Sequence, residues 1–173
     1  MSTSFYDLSV GSFLQTVSGM KRVLKKGQQF AEENDIDPDT FVGLKMHDTM
    51  LPMLFQIVCI PMHSTEAIKG IKEGVFTPPK SITPTNFEGL LKILEETQTE
   101  LLELDRDEVN ALAGKAMKFK MDEMEIPFTA ENFVMSFSLP NLNFHATTAY
   151  DLLRAQGVPL EKADYLGKMR IGV

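Results

Sequence analysis

The chain has 173 residues, and 17 Lys plus Arg against 24 Asp plus Glu give it a formal charge of −7. That is the size of one domain with a core of its own, and the acidic balance excludes nonspecific binding to nucleic-acid backbones or anionic membranes, which needs clustered Lys and Arg. A single cysteine, Cys59, excludes an internal disulfide, and no apolar run of about 18 residues is available to span a bilayer. The polar start Met1-Ser2-Thr3-Ser4 lacks the basic flank and apolar stretch of an export signal, so a cytoplasmic protein is expected.

Over residues 10–30 the apolar side chains of Val10, Phe13, Leu14, Val17, Met20, Val23 and Leu24 recur at helical spacing and predict a long helix with one buried stripe. Ser4 or Ser9 would cap it. Asp37-Pro38 has the order of a cap followed by a first-position proline, which predicts a short helical turn through Leu44. A second long helix is expected from near Thr49 to Gly74, carrying Met50, Met53, Leu54, Ile57, Val58, Ile60, Met62, Ala67, Ile68 and Ile71. Pro52 suits its first turn. Pro61 lies inside it, removes a backbone donor and crowds the Ile57 carbonyl, so a kink or break is expected there.

Residues 74–84, with Pro78, Pro79 and Pro84, read as a loop. Thr85 and Glu88 fit a capping box that opens a third helix with Phe87, Leu90, Leu91, Leu94, Leu101 and Leu104. Residues 105–114 are acidic and suggest one helical turn. The period then changes to two: Met117, Phe119 and Met121 alternate with Lys118 and Lys120, and Met124, Ile126 and Phe128 alternate with Glu125 and Pro127, which predicts a short hairpin. Thr129 opens a fourth long helix with Phe133, Val134, Phe137, Leu142, Phe144, Ala149, Leu152 and Leu153, closed by Gly157 and Pro159. The tail from Leu160 reads as loop. Four amphipathic segments in one chain can bury their stripes together only as a bundle. The expected fold is therefore mainly α, a single four-helix-bundle domain over residues 1–173 with the hairpin between the third and fourth long helices.

Two of the three histidines fall inside predicted long helices. His63 shares a face with Cys59 and Glu66, and His145 with Asn141 and Thr148; such helical neighbours have Cβ atoms about 5–6 Å apart and can act on one ligand. Each histidine follows a mid-helix proline, Pro61 or Pro140, so polar backbone opens at a similar depth in both helices. If these helices face each other, they border a small polar pocket in the core that binds a small molecule, with acid or base chemistry by His63 and His145 and further contacts from Asn141, Thr148, Cys59 and Glu66. A lone helical histidine is also ordinarily a satisfied core or boundary group. His47, beside Asp48, reads as a surface or capping group.

A metal site wants three or four ligands. His63 and His145 supply two, and a third would come from Glu66, Cys59 or His47. Cys59 and His63 have the spacing of a nucleophile and its base, yet the apolar run around Cys59 suits an inert buried thiol. Asp151 and Arg154 have the spacing of a surface ion pair.

Ser4-Phe5-Tyr6-Asp7-Leu8-Ser9-Val10, Met50-Leu51-Pro52-Met53-Leu54-Phe55-Gln56-Ile57, the block from Leu139 to Arg154 with its Asn141 and His145, Gly157-Val158-Pro159-Leu160 and Asp164-Tyr165-Leu166-Gly167 together resemble the domain of unknown function family DUF1993 nearly end to end. The resemblance implies a bundle similar to the DinB and YfiT-like metalloenzymes, up-down-down-up and often dimeric. It implies a divalent metal held by three histidines, one on the second helix and two on the fourth. His63 falls at the second-helix position and His145 at a fourth-helix position, while the residues four away from His145 are Asn141 and Ala149. The cofactor reading is thus a zinc, nickel or iron ion at low occupancy, or none. Three functions follow: a small-molecule pocket with acid or base chemistry; a metal-dependent enzyme of the thiol-transferase type on His63, His145 and a carboxylate such as Glu66; or a noncatalytic homodimeric module whose interior at His63 and His145 is filled.

Overall fold

A computed structural model describes residues 3–171. The fold is mainly helical with one small three-stranded sheet. A four-residue helix, α1 (Phe5–Leu8), precedes α2 (Val10–Glu33); Ser4 caps the former by accepting from the Asp7 amide at 3.1 Å. Helix α2 holds Gly11, Gly19 and Gly27, each of which costs a helix about 1 kcal/mol relative to alanine. Its stripe outweighs that cost: Phe13, Val17, Met20 and Leu24 are fully buried, and each contributes about 1.5–3 kcal/mol. Asp35, with φ of 55°, ends the helix just after its polar tail.

Asp37 caps a single 3-10 turn (Pro38–Phe41) as its sequence order predicts. The second long helix is shorter than expected and divided. It starts at α3 (Met53–Met62), with Pro52 at the cap position rather than in the first turn, and resumes as α4 (Thr65–Glu73). The helix carries through Pro61 and breaks two residues later. Ser64 leaves helical geometry at φ −131° and ψ −85°, and its hydroxyl donates to the Ile60 carbonyl at 2.7 Å, taking an acceptor that the broken ladder would leave bare. Gly74 closes α4 in the left-handed conformation, at φ 85°.

The region expected to be all loop begins with a strand, β1 (Val75–Phe76). Helix α5 (Phe87–Glu103) is capped by Asn86, not Thr85: the Asn86 carbonyl oxygen accepts from the Gly89 amide at 3.0 Å, while Asp39 accepts from the Phe87 amide at 2.8 Å. A cap supplied by a distant carboxylate has no local signal. The one-turn helix α6 (Arg106–Asn110) follows. Then β2 (Ala116–Met121) and β3 (Met124–Thr129) pair antiparallel, with Phe119 opposite Ile126, and β1 joins β2 in parallel, with Phe76 opposite Phe119.

Thr129 caps α7 (Ala130–Phe133), which runs through a π-helical turn (Val134–Ser138) into α8 (Leu139–Ala155). The π turn falls immediately before Pro140, where the regular hydrogen-bond ladder cannot continue. Asp151 and Arg154 do not pair among the described residues; Arg154 donates to the Val158 carbonyl at 3.1 Å instead, closing the end of α8. The tail forms a further helix, α9 (Lys162–Leu166), which packs on α2. Helix α2 also packs on α5 and α8, and α3 on α5 and α8, so Phe13, Met20, Ile57, Leu90, Leu94, Leu142 and Leu153 share one core. No described helix is long and apolar enough to cross a membrane.

Candidate functional site

The break between α3 and α4 lies against the π turn before α8. The Ser138 hydroxyl donates to the His63 carbonyl at 2.8 Å, and both residues are buried. This bond ties the end of α3 to the π turn, and the His63 ring lies against Phe76 at 6.3 Å. Helices α3 and α8 pack together, so His145 comes to lie beside His63: the ring centroids are 5.8 Å apart and the planes differ by 9°. The two proline-bearing helices do meet at their histidines. Phe137 meets His63 edge-on at 5.5 Å, and Phe55 meets His145 edge-on at 5.7 Å.

The orientation of His145 follows from a residue outside the set that spacing around the histidines singled out. Gln56 is buried on α3, and its side-chain amide donates to the Leu51 carbonyl at 2.9 Å. That bond turns Oε1 of Gln56 toward Nδ1 of His145, 2.8 Å away. A carbonyl oxygen only accepts, so Nδ1 carries the proton of the neutral ring and Nε2 keeps its lone pair. A signal for Gln56 did exist. Gln56, Cys59 and His63 fall at spacings of three and four, making a polar stripe in an otherwise apolar helix.

Burial, and then the neighbouring His145, pull the His63 imidazole from its ordinary 6.5 down to about 4, and burial lowers His145 as well. His63 is neutral near neutral pH. Its Nδ1 is buried without a hydrogen-bond partner among the described residues, a situation that costs about 1–3 kcal/mol and is rare in folded proteins. Burial also pushes the Cys59 thiol up to about 12, so it is a protonated, inert group and not a nucleophile.

Cys59, His63, Asn141 and His145 line one cleft of about 450 Å³. Its other walls are largely apolar: Phe55 and Met62 from α3, Phe119 from β2, Phe137 from the π turn, and Pro78 and Ile82 from the segment after β1. One amide N–H of Asn141 is taken by the Phe137 carbonyl at 2.7 Å. Two expected contact residues are elsewhere. Glu66 is half exposed on α4 and bonded to Lys69 at 2.7 Å, because the chain breaks between His63 and Glu66 and the two no longer share a helix face. Thr148 turns its hydroxyl to the Phe144 carbonyl at 2.8 Å and does not line the cleft.

His47 stays in an exposed loop, where its Nδ1 meets the Thr49 hydroxyl at 2.9 Å. Among the described residues no three His, Cys, Asp or Glu side chains are placed to hold a metal ion. The donor set at His63 and His145 therefore does not fit a three-ligand metal centre.

The profile of the family described as a domain of unknown function, DUF1993, matches residues 5–166. The chain belongs to the DUF1993 family. No match was found among curated proteins. In overall fold this DUF1993 protein is similar to a DinB family member from Shewanella denitrificans, whose crystal structure at 1.83 Å superposes with a TM-score of 0.80 and 23% identity, over 97% of this chain and 94% of that one. At that identity the likeness is one of fold.

Proposed function

We propose that this DUF1993 protein binds a small molecule in the cleft between α3 and α8, with His145 as the group able to accept a proton from it. The observation that carries this reading is the histidine pair in an otherwise apolar cleft, one ring locked by Gln56 and the other holding a buried nitrogen with no partner among the described residues. Buried polar groups left unsatisfied reduce stability, and a site that retains them is a functional candidate. In the proposed mechanism Nε2 of His145 accepts the proton of a bound hydroxyl or water. The transfer leaves the ring cationic beside the anionic ligand oxygen, and the ring's lowered proton affinity favours returning the proton to that oxygen, so both end neutral. His63 stays neutral and serves as a hydrogen-bonding wall. The accompanying fold is a four-helix bundle of the DinB type, up-down-down-up, built from α2, the α3–α4 pair, α5 and the α7–α8 run.

A noncatalytic interaction module would fill the space around His63 and His145; the cleft favours the binding reading. The test is to incubate the protein with a metabolite extract and identify the retained compounds by mass spectrometry. At least one should be bound about tenfold more weakly by His145→Ala or His63→Ala. Variants that retain every compound as well as the parent would overturn the proposal.

A further inference from the structure

We infer that the ligand of this cleft is an uncharged, flat aromatic compound bearing a hydroxyl group, its ring held by Phe55, Phe119 and Phe137 and its O–H donated to Nε2 of His145. This inference rests on the binding reading above and adds the chemical class. Among the described residues no aspartate or glutamate lines the cleft, so a cationic ligand would lose its hydration without a counter-charge. The one fixed charge in the described lining is Lys80, which is exposed, whereas Cys59, His63 and Phe119 are buried and uncharged. An anionic group placed among those buried residues would be equally unpaired.

Hydrogen-bonding capacity narrows the class further. The Gln56 bond leaves His145 with an acceptor at Nε2, and Asn141, with one amide N–H taken by the Phe137 carbonyl, keeps its carbonyl oxygen as a second acceptor and its other N–H as a donor. Acceptors beside a donor suit a ligand hydroxyl, which donates its O–H and accepts at its oxygen. Three phenylalanine rings in one small cleft suit an aromatic body, which packs edge-on or offset against such walls. A hydroxylated ring supplies both features in one rigid unit.

The experiment is a titration of the full, isotope-labelled chain near neutral pH, followed by amide and histidine-ring NMR, with three ligands of similar size: p-cresol, p-methylanisole and p-toluate. The anisole keeps the oxygen and removes the donor; the toluate replaces it with a negative charge. We expect p-cresol to shift the resonances of His145 and Phe137 and to bind about five-fold more tightly than p-methylanisole, with p-toluate weakest. His145→Ala should bring p-cresol down to the affinity of p-methylanisole. The ligand series on the unaltered chain stands even if that variant fails to fold. Equal binding of cresol and anisole at the cleft overturns the hydroxyl class and leaves the binding reading intact. A preference for toluate overturns it in favour of an anion drawn to Lys80. If none of the three shifts a cleft resonance, the hydroxylated-aromatic class is overturned, while the binding reading stands or falls on the metabolite-retention experiment alone.

Discussion

Acidification isolates the cost of burying His63. In an unfolded chain its imidazole titrates near the ordinary 6.5, but in the fold burial and the adjacent His145 bring it to about 4. Below about pH 6.5 the unfolded chain takes up a proton that the folded chain refuses, so stability falls with pH through this window and levels off near pH 4, where the folded ring also protonates. The difference corresponds to about 3 kcal/mol, at about 1.4 kcal/mol for each tenfold change in proton affinity. The perturbation is His63→Leu, which removes the titrating ring and its unpartnered Nδ1 while keeping an apolar side chain beside Phe137. Urea unfolding of parent and variant, in steps from about pH 7 to about pH 4.5, gives the two stability profiles. Asp7 and Asp164, held below the usual carboxylate range by hydrogen-bonding and charged partners, titrate in both proteins and cancel in the difference, whereas His145 stacks on His63, so its titration is followed by ring NMR in each protein and subtracted. The parent should lose about 2–3 kcal/mol more than the variant across the window. Parallel profiles would show that His63 is not held neutral by the fold.

Two further perturbations address the positioning residue and the tail. Gln56→Leu removes the acceptor at Nδ1 of His145; the expected outcome is a shift of the neutral ring toward the Nε2-protonated form, read from its nitrogen-15 chemical shifts, and an unchanged tautomer would contradict the assignment. In Gly19→Ala the new Cβ would stand 2.1 Å from the Tyr165 carbonyl oxygen, a backbone atom that no rotamer change can move. Helix α9 must then lift from α2, loosening the Gln15 bond to the Leu166 carbonyl and the Lys26–Asp164 pair, at a cost of about 1–3 kcal/mol. Thermal unfolding should fall by about 3–10 °C with faster proteolysis in the tail; an unchanged melting temperature would mean that the contact is slack.

How much was legible in the residues depends on the range over which each decision is made. The helical spacing of Val10 to Leu24, the caps at Asp37 and Thr129, the stop at Gly74 and the alternation from Met117 to Phe128 are local patterns. Each can be read because the period of a helix or strand dictates which side chains share a face. The same spacing singled out Cys59, His63, Asn141 and His145, which line one cleft. It also included Glu66 and Thr148, and there it failed: the chain breaks at Ser64, and the Thr148 hydroxyl is spent on its own helix.

The sequence alone therefore determined the elements and their apolar faces, and it excluded a three-histidine site unless His47 joined the other two. Which of those faces meet is set by long-range packing. The pairing of β1 with β2, the Asp39 carboxylate on the Phe87 amide and the packing of α9 on α2 join residues far apart in the chain, for which no local pattern exists. The same holds for the Gln56–His145 bond. The Nε2 lone pair of His145, on which the proposed chemistry turns, exists because two helices distant in sequence were brought together, with Gln56 and His145 within 2.8 Å.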